Sequence, residues 1–91
     1  VPAFKHNHDP LIERTINVNG KEKHYWHTTI WAGPVVTANL PSTSTPIGLT
    51  SSGLPVNLQI IGPYLHDLTC IEVAKMIRDL RGGFRIPPNF Q

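Results

Sequence analysis

The chain has 91 residues, enough for one small domain or a piece of a larger one, and a chain this short buries only about 60–65% of the surface its unfolded form exposes. With 40% hydrophobic and 15% charged residues it is ordinary globular material, not a disordered tail, and its +2 net charge comes from scattered basic residues mixed with acidic ones. That distribution argues against nucleic-acid binding, which concentrates basic residues on one face or helix. Cys70 is the single cysteine, which excludes an internal disulfide and fits a reducing compartment. No stretch approaches the ~20 apolar residues of a membrane span, and no charged-then-apolar signal segment opens the chain, so no membrane association and a cytoplasmic location are expected. The chain begins at Val1 and not at methionine, which points to a fragment or a processed product.

Residues 1–13 are expected to be irregular, since Pro2, Asn7, Asp9 and Pro10 interrupt any period. Asn19-Gly20 then stands between two short runs, Thr15–Val18 and Lys21–Tyr25. Such a pair favours a type I′ hairpin, because both turn residues must take positive φ. Its polar flanks put the hairpin on the surface. From Trp26 to Leu40 the apolar spacing is closer to helical than to alternating, with Gly33-Pro34 breaking or kinking any helix there. Pro41 to Pro46, rich in Ser and Thr, reads as a short strand entering a loop, and Thr50 to Gly53 as a turn. Leu54 to Ile61 alternates Val56, Leu58 and Ile60 with Asn57, Gln59 and Ile61, the pattern of a strand. Asp67 is the expected cap of a closing helix whose apolar stripe holds Leu68, Ile71, Val73, Ala74, Ile77 and Leu80. Lys75 and Asp79 lie four apart on its exposed side, and Arg78 and Arg81 suit the negative end of its dipole. Gly82-Gly83 ends it, and Phe84 to Gln91 is an extended tail.

Two strands, one helix and a peripheral hairpin cannot close a well-shielded α/β unit. The strand face and the helix stripe ask for more partners than 91 residues supply. The physical expectation is an incomplete sheet, completed by residues or other chains outside this one.

These residues resemble the end of amidase signature enzymes. Leu40-Pro41-Ser42-Thr43-Ser44-Thr45-Pro46-Ile47-Gly48, then Gly53-Leu54-Pro55-Val56-Asn57-Leu58-Gln59-Ile60-Ile61-Gly62-Pro63, then Asp67, is similar to the family's G-L-P-a-x-x-x-P-x-G, G-L-P-V-G-x-Q-I-I-G-p and following Asp. Upstream, Ala3 to Asp9, Arg14, Ile16, Val18-Asn19-Gly20, Tyr25 and Trp31-Ala32-Gly33 look like the preceding segment of a bacterial branch. Downstream, Gly82-Gly83-Phe84 and Pro87-Pro88 look like its G-G-F-x-x-P-P ending. The stretch from Gly53 to Pro63 is the specific part. Asn39 and Asn57 depart from the pattern, each standing where the family usually has glycine. Asparagine is the next best residue for left-handed φ, but it adds bulk.

The resemblance implies amide hydrolysis through an acyl-enzyme, with a serine nucleophile activated through a second serine by a lysine base, and backbone N–H groups stabilising the oxyanion. Those parts would lie N-terminal to this segment, and no Gly/Ser-rich signature occurs here, so no catalytic residue is expected in the chain. The Trp26–Leu40 stretch would lie against the substrate pocket, with Trp31 and the polar neighbours Thr28 and Thr29 as its expected substrate-binding residues. Trp26 is expected in the core instead. Ser51-Ser52-Gly53 reads as a polar turn and not as a signature remnant, since no flanking glycines build an anion cradle. His6, His8, Asp9, His24 and His27 have ligand chemistry, yet no tight set is completed, so surface or structural roles are expected. Cys70 has no histidine at helical reach and reads as a buried, inert thiol.

The fold class expected is therefore α/β: a C-terminal piece of the amidase signature mixed-sheet α/β/α fold, with two core strands, a C-terminal helix and a peripheral hairpin. Residues 1–25 would be loop and surface hairpin, and residues 26–91 sheet strands and last helix. The chain would be the structural and pocket-wall part of an amidase acting on a small-molecule amide, inactive alone, with no cofactor implied. Kept alone, it would self-associate through its unpaired sheet edge and apolar helix face. The alternative is a small non-catalytic binding or assembly module that holds metal through its histidines.

Overall fold

The structure, a computed structural model, describes residues 4–6 and 8–91. The expectation of an irregular start falls partly on residues 1–3 and 7, which lie outside the described residues. Strands β1 (Thr15–Val18) and β2 (Lys21–His24) form an antiparallel hairpin. Its two turn residues, Asn19 and Gly20, take φ of 53° and 78°, as a type I′ turn requires. A 3₁₀ helix over Tyr25–Thr29 follows, then α1 (Gly33–Thr37). Gly33-Pro34 does not interrupt a helix there but opens one, because proline in the first turn gives up an N–H that would be unpaired anyway.

Helix α1 closes with a Schellman motif. The Asn39 N–H donates to the Val36 carbonyl (3.1 Å) and the Leu40 N–H to the Val35 carbonyl (3.1 Å). Asn39 sits at φ 54°, the left-handed conformation the motif demands. This accounts for the glycine usual at that position in the family pattern: asparagine is the residue that replaces it with least strain. Val35 is buried and Leu40 half-buried, the two positions at which the motif favours apolar residues.

Strands β3 (Ser42–Leu49) and β4 (Pro55–Ile61) form a second antiparallel pair, separate from the first. Here the structure corrects the expectation of a short strand over Pro41–Pro46 entering a loop: β3 runs on through Pro46 to Leu49. The register slips between Pro46 and Gly48, so that one residue, Ile47, is extra. A bulge is where a strand can carry a proline, which has no N–H for the ladder. Thr43 faces Ile60 and Thr45 faces Leu58, and this side of the pair meets α2 (Asp67–Arg81). Asn57 lies opposite Pro46 with ordinary strand geometry, so nothing in the backbone there requires glycine.

Asp67 is the first residue of α2 and makes no capping bond; His66 occupies the cap position. The Asp67 carboxylate still lies in the first turn, where the helix dipole favours it. Lys75 pairs with Glu72 (2.6 Å) and Asp79 with Arg78 (2.8 Å), in place of the Lys75–Asp79 pair expected from spacing. Gly82, at φ 91°, ends the helix, its N–H donating to the Arg78 carbonyl at 2.7 Å. The tail then runs to a short 3₁₀ turn at Pro88–Phe90.

Along α2, Cys70 is buried, Ala74 and Ile77 are half-buried, and Ile71 lines a groove with Thr45 and Pro46 of β3, whereas Leu68 and Leu80 are 76% and 81% exposed. The tightest junction lies where the helix start meets the open end of the hairpin. The Gly62 N–H donates to the Pro41 carbonyl (3.0 Å), and the Cys70 thiol points at the same carbonyl (3.7 Å). Cys70 is buried as expected, at 1% exposure.

Among the described residues the buried apolar side chains are Val35 and Cys70. The accessible surface is 7580 Å², against about 5300 Å² for a compact monomer of this mass. The radius of gyration is 15.6 Å, against about 12 Å for a compact domain of this length. Both measures describe a mixed α/β assembly of two small antiparallel sheets and one main helix with much of its apolar surface still uncovered.

Candidate functional site

Strand alternation sorts the first hairpin into two chemically different faces. Ile16 pairs with Lys23 and Val18 with Lys21, so that face is apolar and basic. Thr15 pairs with His24 and Asn17 with Glu22, so the acidic group lies on the opposite side. There the Thr15 hydroxyl donates to Glu22 Oε1 (2.6 Å), and Glu13 contacts His24 Nε2 (3.0 Å).

The 3₁₀ helix starts where His24 Nδ1 accepts the Trp26 N–H (3.2 Å). Phe4, His6 and Tyr25 pack edge-on about this start, with Phe4–Tyr25 centroids 6.0 Å apart and the Arg14 guanidinium 5.8 Å from the Tyr25 ring centre. His6 and His8 thus belong to an aromatic cluster, their rings 4.7 Å apart. Among the described residues no three His, Cys, Asp or Glu side chains converge as a metal-ligand set. Trp26 is 67% exposed and meets the Tyr25 ring edge-on, a correction to its expected place in the core.

Between the basic face of the hairpin, the N-terminal segment and the 3₁₀ helix lies a cleft of about 720 Å³. Thr28 and Trp31 line it, together with Lys5, Ile16, Val18, Lys23, His27 and Ile30. Thr29 does not: its hydroxyl donates to the Trp26 carbonyl (2.8 Å) and serves the 3₁₀ helix itself. Of the three expected pocket residues the structure brings two together. Lys5 and Lys23 were not singled out from sequence; the signal for Lys23 was available in the hairpin register, which sets it beside Ile16.

A second cleft, about 750 Å³, opens between the β3 bulge, the end of α2 and the tail. Asn57, Arg81, Phe84 and Arg85 line it, and Arg81 Nε donates to the Ile47 carbonyl (3.1 Å), tying the helix end to the bulge. In the β3–β4 turn the hydroxyls of Thr50 and Ser52 are engaged locally. Thr50 Oγ1 accepts the Leu54 N–H (3.0 Å) and shares a hydrogen bond with Ser52 Oγ (2.9 Å). Ser51 and Ser52 are exposed, with no histidine or lysine beside them in these bonds.

A mixed α/β piece of this kind is consistent with the end of an amidase signature enzyme, and comparison with known proteins points to the same relatives. No protein-family model matches the chain. Among curated proteins it is similar to the glutamyl-tRNA(Gln) amidotransferase A-subunit of Exiguobacterium sp., 46% identical over 54 residues, covering 59% of this chain and 11% of that protein. The corresponding protein of Bartonella bacilliformis is 40% identical over 55 residues, 60% of this chain and 11% of its own length. That of Hyphomonas neptunium is 47% identical over 47 residues, 48% and 10% of the two chains. These relatives are amidase signature proteins, so the resemblance carried by the motifs holds over about 55% of the chain. The chain spans about a tenth of the length of the curated relatives it matches.

Proposed function

We propose that this chain is the C-terminal, non-catalytic part of an amidase that cleaves a carboxamide C–N bond through a serine acyl-enzyme. In that reading residues 26–91 extend and cover a larger sheet, residues 1–25 are a peripheral loop and hairpin, and Thr28 and Trp31 form one wall of the substrate pocket. The nucleophile, base and oxyanion donors come from the rest of the enzyme, which works in the cytoplasm.

The observation that carries the reading is the surface of 7580 Å², well above the ~5300 Å² of a compact protein of this mass. The excess is apolar where a covering layer would sit: Val73, Met76 and Leu80 follow one another along the outer side of α2. Left alone, the chain self-associates through these faces and its unpaired strand edges.

The test is the native mass of the product bearing this sequence, read with an antibody against the chain, together with its reactivity. A product much larger than 10.1 kDa should hydrolyse a simple amide and lose activity when a fluorophosphonate labels its serine. The isolated 91-residue chain should do neither. A native product of 10.1 kDa with no larger form would refute the proposal.

The relatives' names favour a second reading, one component of a tRNA-dependent amidotransferase. The same purified product separates the two. Amide hydrolysis without other proteins or tRNA supports the first reading, and strict dependence on both supports the second.

A further inference from the structure

We propose that the cleft at the first hairpin binds a small ligand carrying a carboxylate on a flat apolar body. The proposal rests on the pocket-wall reading above and deepens it by naming the chemistry of the substrate group held there. Three observations meet in the cleft. Its volume, about 720 Å³, is that of small-molecule sites. Its titratable lining groups are Lys5, Lys23 and His27, and no carboxylate lines it. Its apolar surface comes from Ile16, Val18 and the Trp31 ring, the last 77% exposed.

The hairpin register explains the charge. Glu22, which could have neutralised Lys23, pairs with Asn17 and so falls on the other face. Its carboxylate accepts from the Thr15 hydroxyl there. Lys5 and Lys23 have no ion-pair partner among the described residues. Two lysines and an exposed tryptophan lining one cleft offer the chemistry for an anion with a planar body. Charge-assisted hydrogen bonds would fix the carboxylate, and stacking would hold the ring. A neutral ligand of the same shape would keep the stacking and lose the anchoring.

The experiment titrates the 91-residue chain with phenylacetate and, separately, with its neutral isostere phenylacetamide. The readout is the indole N–H signal of Trp31, assigned through Trp26→Phe. Phenylacetate should shift that signal and bind about tenfold more tightly than phenylacetamide, and the advantage should shrink as salt is raised. Lys5→Gln and Lys23→Gln, both at exposed positions, should each weaken phenylacetate and leave phenylacetamide unchanged, with the far-UV spectrum intact. Equal affinity for the two ligands would overturn the anion proposal and leave the pocket wall standing. So would phenylacetate binding that survives both lysine substitutions. No shift of the Trp31 signal with either ligand would overturn the carboxylate-site proposal, and the amidase reading then stands or falls on the native mass.

Discussion

Replacing Gly62 by alanine would put a methyl carbon 2.5 Å from Cys70 Sγ. Uncharged heavy atoms rest comfortably at roughly 3.5–4.0 Å, so about 1 Å of separation must be found. Neither side can give easily. Cys70 is 1% exposed on the inner face of α2, and Gly62 is fastened by its N–H to the Pro41 carbonyl. The Gly62 φ is not left-handed, so the penalty is steric and carries no backbone strain. Overpacking of this kind costs about 1–3 kcal/mol, which in a domain of this length lowers Tm by roughly 5–20 °C. Thermal unfolding followed by far-UV circular dichroism measures it. The decisive comparison is the double substitution Gly62→Ala with Cys70→Ala, which removes the sulfur and lets the new methyl group occupy its place. That protein should be more stable than Gly62→Ala alone, a coupling expected only between groups in contact. A Gly62→Ala protein that melts with the parent, or one that Cys70→Ala fails to improve, would show that the helix start does not close on the hairpin in this way.

Asn39 offers a check on backbone conformation free of packing. At φ 54°, Asn39→Gly should hold or raise stability, and Asn39→Ala should cost about 1 kcal/mol, read by urea unfolding. The reverse order would mean that α1 does not end in a Schellman motif. Ser51→Ala with Ser52→Ala, introduced into the native product that bears this chain, should leave amide hydrolysis within about twofold. Both residues are exposed in the β3–β4 turn, and the Ser52 hydroxyl is bonded to Thr50. A loss of activity of several orders of magnitude would move the chemistry into this segment.

Features set by neighbours in the chain were legible in the sequence. The Asn19-Gly20 turn, the β4 alternation from Pro55 and the glycine stop of α2 each follow from local sterics. The motif around Gly53–Pro63 likewise carried the family resemblance, because its residues are specific without reference to any contact. The resemblance set Thr28, Thr29 and Trp31 together, and the structure has Thr28 and Trp31 lining one cleft without Thr29. Only the folded chain shows which hydroxyl is taken by the Trp26 carbonyl.

What needed tertiary structure concerns partners distant in sequence. Pro46 reads as the end of a strand until β4 lies beside it and the extra Ile47 makes a bulge that accepts it. The stripe of α2 asks for more cover than the chain supplies, and a two-stranded pair with ~4.8 Å between strands cannot cover a helix ~10 Å across. It covers Cys70, Ala74 and Ile77 and leaves Leu68 and Leu80 in solvent. Lys5 reached the cleft only through the path of the N-terminal segment past the hairpin, which no local pattern encodes. The sequence by itself determined the elements, their turns and the family they resemble, since these depend on backbone sterics and short-range periodicity. Which faces are covered, and which charges share a cleft, depends on long-range packing, and that only the tertiary structure decided.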